Sequence, residues 1–123
     1  MKRALILVIL LLSACAGRPD AAPQKWEGYD VRVEIQPSPP KPGMNEVMVE
    51  VSGKHGKGVH GLIVSLRMQD SEPWKQTFPD GDLGVYHGAA SFAPNRHDLQ
   101  VQIDSDGRKS VLVFPVRMDA SAS

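Results

Sequence analysis

The chain has 123 residues, with 14 lysines and arginines against 14 aspartates and glutamates, and one cysteine. That length suits a single domain with a modest core. The balanced charge leaves no electrostatic footprint for nucleic acid, and a lone cysteine excludes an internal disulfide or a multi-thiolate zinc site.

Lys2 and Arg3 precede the apolar run Ala4 to Leu12, and Ser13 and Ala14 then lead into Cys15. This is the layout of a secretory signal. The run is far shorter than the roughly 20 residues that span a bilayer as a helix. Leu12-Ser13-Ala14-Cys15 resembles the lipobox of bacterial lipoproteins, in which the cysteine is acylated on sulfur and becomes the new N-terminus. The resemblance implies that residues 1–14 are removed and that Cys15 is lipidated. The mature chain then has 109 residues, with 12 basic side chains against 14 acidic ones. Ala16, rather than an aspartate, follows the cysteine. By the sorting rule of enteric-type bacteria this favours the periplasmic face of the outer membrane.

Residues 15–28 read as a flexible tether, because they carry two prolines and few large apolar groups. Trp26 is the exception, and packing on the domain edge is favoured over the lipid headgroups. From Tyr29 the pattern has period two. Val31, Val33 and Ile35 alternate with polar residues, which predicts a half-buried strand. Four prolines between Pro37 and Pro42 exclude a helix there. Val47, Val49 and Val51 predict a second strand, and Gly53 to Gly58 a glycine-rich turn.

A third strand is expected from Gly61 to Met68, with Leu62, Val64, Leu66 and Met68 on one face. Ile63 interrupts its alternation and suggests cover on both faces. Trp74 to Phe78 predicts a short edge strand, followed by the turn Pro79 to Asp82. Gly84 to Phe92 turns Tyr86, Ala90 and Phe92 inward and His87 outward. Leu99, Val101 and Ile103 form the next strand, with His97 on the core side at its start. Asp106-Gly107 is a hairpin signal before the last strand, Lys109 to Met118. Residues 119–123 read as a disordered tail. About seven strands with Gly/Pro turns and no helical period predict an all-β, immunoglobulin-like antiparallel β-sandwich over residues 29–118.

The proline-glycine run Pro37 to Gly43, Leu66-Arg67-Met68, Gly84-Val85-Tyr86-His87-Gly88 and Asp104-Ser105-Asp106-Gly107 together resemble the YtkA-like and FixH-like family of bacterial envelope domains. The resemblance spans roughly 29–118. It implies an exported immunoglobulin-like sandwich, and a link to respiratory oxidase assembly or metal homeostasis. The family's Gly-x-Trp before the penultimate strand is replaced here by Asn95-Arg96-His97. The loop after the third strand lacks the methionines and histidines of copper-associated relatives.

No serine sits in a nucleophile-elbow context, and no catalytic residue emerges, so the chain reads as a non-enzyme. The pairs Asp80/Asp82 and Asp104/Asp106 read as turn chemistry rather than calcium ligands. Copper is the cofactor that histidine and thioether donors would take. The candidates are His55, His60 and Met68, with His55/His60 the best pair. His60 and Met68 stand about 26 Å apart along one strand and do not share an ion. Trp74 and Phe78 are candidate anchors for a protein partner. The expected function is that of a lipid-anchored accessory module with an envelope protein partner. The alternatives are a copper-binding lipoprotein and a structural lipoprotein without a ligand.

Overall fold

Valine at every second position commits a chain to strands that bury one face, and such faces must meet another sheet. The computed structural model describes residues 20–81, 83–95 and 97–118; Cys15, Asp82, Arg96 and the tail from residue 119 lie outside them. Among the described residues nine strands occur: β1 (Gln24–Trp26), β2 (Tyr29–Gln36), β3 (Gly43–Ser52), β4 (Ile63–Arg67), β5 (Lys75–Gln76), β6 (Phe78–Pro79), β7 (Val85–Phe92), β8 (Asp98–Ser105) and β9 (Arg108–Pro115). One sheet has the order β1-β2-β3-β7-β6, the other β5-β4-β8-β9. All pairings are antiparallel. With β2, β3, β4, β5, β6, β7, β8 and β9 taken as A, B, C, C′, D, E, F and G, the sheets are ABED and C′CFG. That is the immunoglobulin-like connectivity, with β1 added outside A.

The core lies between the sheets. Val31, Val33, Ile35, Val47, Val49 and Val51 face Val64, Leu66, Leu99, Val101, Ile103 and Phe114, all buried. Tyr86, Ala90 and Phe92 also point inward, as their parity predicts.

The N-terminal part departs from the tether expectation. From Asp20 the chain belongs to the domain. Ala21 is buried and bridges Val116, Arg117 N–H donates to the Asp20 carbonyl at 2.8 Å, and β1 then pairs with β2. The segment thus passes from the β9 edge to the β2 edge and closes one open side of the sandwich, a common remedy for unpaired edges. Sequence composition hid this because the segment has little apolar mass beyond Trp26. That ring is buried, although its indole N–H has no acceptor among the described residues. Burying an aromatic of ~200 Å² contributes about 5 kcal/mol, which outweighs the ~1–3 kcal/mol of an orphaned donor.

The opposite side is closed in the same manner. The expected single edge strand around Trp74 to Phe78 is two short strands in different sheets, joined at Thr77. Thr77 is buried, and both its N–H and its hydroxyl donate to the Val64 carbonyl at 2.8 Å. Ile63 is not covered on both faces; it is 48% exposed. It is the first residue of β4, opposite Asp104. His97 is also corrected. It is exposed and bonds the Pro94 carbonyl at 3.0 Å, one residue before the strand parity takes hold.

Two buried polar side chains secure the loops. Asn45 holds the proline loop through its amide, which donates to the carbonyls of Lys41 and Gly43 and accepts from Lys41 N–H. Tyr86 secures the loop after β3: its hydroxyl donates to the Val59 carbonyl at 2.9 Å and accepts from Leu62 N–H at 3.3 Å. Desolvation pushes the Tyr86 phenol above its ordinary value near 10, partly offset by the Leu62 bond. A raised folded-state value means that the native chain holds its proton longer than the unfolded chain. The associated stability is intact below the unfolded value and is lost as pH rises through the folded one. Urea midpoints between pH 8 and 11 should therefore fall less steeply for Tyr86→Phe than for the wild type. At neutral pH that variant should cost about 1–2 kcal/mol.

Candidate functional site

Strand parity builds one polar face on the outside of the five-stranded sheet. With the valines inward, β2 presents Arg32, Glu34 and Gln36 outward, β3 presents Glu46, Met48 and Glu50, and β7 presents His87. Register then sets these in rows. Glu34 lies opposite Met48, Met48 opposite His87, and His87 opposite Phe78. Four strands thus place a carboxylate, a thioether, an imidazole and a phenyl ring side by side.

A hollow of about 100 Å³ lies in this row, lined by Glu34, Gln36, Glu46, Met48 and His87. A neighbouring hollow of about 190 Å³ uses Met48, Arg32, Glu50, Ala21 and Pro23 among its lining. His87 Nε2 is 3.3 Å from a carboxylate oxygen of Asp80, in the turn that leads into β7. Phe78 is 75% exposed, and Met44, on the same face opposite Ser91, is 64% exposed.

The metal candidates from the sequence are scattered. His55 sits at the exposed tip of a single 3-10 turn, Lys54–Gly56, with positive φ. His60 is exposed before β4, and Met68 follows β4 at its other end, 3% exposed in the core. Met68 is therefore a packing residue of the core. Among the described residues, no three His, Cys, Asp or Glu side chains converge on one metal position. Asp104 accepts from Gly107 N–H at 2.9 Å, which is turn chemistry, and Asp80 serves its own turn and His87.

The aromatic candidates separate. Trp74 is half-buried, with the Arg67 guanidinium 4.1 Å from its ring centroid. Arg67 also donates to Gln100 at 2.8 Å and to the Asp70 carbonyl at 3.2 Å. Glu72 accepts from Met68 N–H and Gln69 N–H. Trp74 thus belongs to an internal network that shapes the loop after β4, and one face of its ring is already occupied. Phe78 has no such role and projects into solvent.

Met48 paired with His87 was not found from sequence. Parity marks both as outward, but β3 and β7 are separated by three intervening strands, and nothing local sets their register. Comparison of the chain with family models, curated proteins and solved structures finds no match.

Proposed function

We propose that this protein is a bacterial envelope lipoprotein, held at the periplasmic face of the outer membrane by lipid on Cys15, that works as a non-enzymatic binding module for an envelope protein. The resemblance of residues 29–118 to YtkA-like and FixH-like domains supports a setting in respiratory oxidase assembly or metal homeostasis. The observation that carries the binding role is Phe78. A large aromatic three-quarters exposed on a two-residue edge strand contributes nothing to the core. Aromatics in such positions dominate interface hot spots when a partner covers them.

A photoreactive phenylalanine analogue at position 78, in intact cells, should give one discrete protein adduct. The same analogue at Val113, on the outer face of the other sheet, should give none. Adducts from both positions, or from neither, would remove the reading. Phe78→Ala should change stability by less than about 0.5 kcal/mol while weakening the partner by roughly 30-fold, the scale of a 2 kcal/mol hot spot.

A further inference from the structure

We infer that Met48 and His87 form a binding site for a soft monovalent cation, Cu(I) or Ag(I), on the outer face of the five-stranded sheet. The two residues are direct cross-strand partners. Such partners have Cβ atoms about 5 Å apart on the same face, so a thioether sulfur and an imidazole nitrogen can close on one ion between them. Thioether and imidazole together select Cu(I) over harder ions.

Three further observations converge. First, the imidazole is oriented. An ionised carboxylate only accepts hydrogen bonds, so the Asp80 contact at 3.3 Å takes a proton on Nε2, and in the neutral ring Nδ1 is then the nitrogen with the lone pair. A carboxylate behind a histidine is the usual outer partner of a metal-bound ring. Second, the site is a hollow with Glu34 and Glu46 in its wall, and these supply negative charge to a cationic complex with two neutral ligands. Third, the donor set discriminates. No three His, Cys, Asp or Glu side chains converge among the described residues, so zinc or manganese lacks a cage. A low-coordinate soft ion needs only the pair. Met48 alternates with Glu46 and Glu50 on a polar face, where a thioether adds nothing to the core.

This inference is independent of a protein partner at Phe78, and either can fail alone. The test uses the full chain with Cys15→Ser in detergent micelles, so that no thiol competes. Ag(I) serves as a redox-silent probe, read by NMR of methionine methyl and histidine ring signals, with Cu(I) affinity from competition against a chromophoric chelator. One equivalent of Ag(I) should shift the Met48 and His87 signals in a saturable way. Met48→Leu and His87→Gln should each weaken binding at least tenfold, and Asp80→Asn about tenfold. His55→Ala and Met44→Leu should leave it unchanged. No saturable shift, or an affinity indifferent to Met48→Leu or His87→Gln, would overturn the site.

Discussion

Gly84→Ala should destabilise the fold by roughly 4 kcal/mol and lower Tm by about 20 °C. Gly84 has φ +77°, and a Cβ there would stand 2.6 Å from Val59 N, 2.7 Å from the Val51 carbonyl oxygen and 2.8 Å from Gly58 Cα. All three are backbone atoms, held by the bonds from Val51 N–H to Gly84 O and from Val59 N–H to Val51 O, both 2.8 Å. Two strains therefore add: a left-handed conformation and a close approach that no rotamer can relieve. Gly61 is the control. Its φ is +83° with open space around it, so Gly61→Ala should cost only the conformational ~1–2 kcal/mol. Urea unfolding of the two variants checks the difference. Equal losses would mean that the crossing of the two glycine segments is unimportant.

If Cys15 is lipidated as proposed, Cys15→Ser, carried behind an ordinary cleavable secretory signal in place of residues 1–14, should move the protein from the membrane fraction to the soluble fraction. Acyl chains contribute about 0.8 kcal/mol per buried methylene, so two or more give stable attachment where one is marginal. The fold should be unaffected, because among the described residues the backbone pairing of the domain begins at Asp20 and Ala21. Ultracentrifugation of lysed cells separates the outcomes, with urea midpoints confirming an intact domain. A Cys15→Ser protein that still sediments with membranes would show that something other than lipid on this cysteine holds it there.

Much of the fold is written in the alternation of Val31 to Ile35, Val47 to Val51 and Leu99 to Ile103, because a period of two leaves one solution for which side faces the core. The hairpin at Asp106-Gly107 is equally local, and its φ values of 51° and 89° follow from the residue types. What escaped reading is what depends on distant partners. Thr77 changes sheets because Val64 offers a carbonyl and Gly88 leaves room: a Cβ at Gly88 would be 2.9 Å from Thr77 Cγ2. Ala21 becomes interior only once Val116 is beside it. At the site, the outward direction of His87 was legible, while its neighbour was not. Met68 looked like a candidate donor because thioethers serve both cores and metals, and only its burial decides between them.

The early entry of the chain into the fold has a spatial consequence. The proposed acylation site, Cys15, lies five residues before Asp20, and five residues reach at most about 17 Å. Ala21 meets Val116 at the pole that carries the loops 37–42 and 93–97, while the turns at 27–28 and 106–107 stand at the other. Were the chain acylated at Cys15 as proposed, the first pole would face lipid and the strands would rise from it by roughly 27 Å, the length of eight residues. Under that proposal the molecule would search in two dimensions, inside a layer some 45 Å deep. Its encounters would then be set by lateral diffusion and surface density, and whatever meets Phe78 or His87 would itself have to come to that membrane.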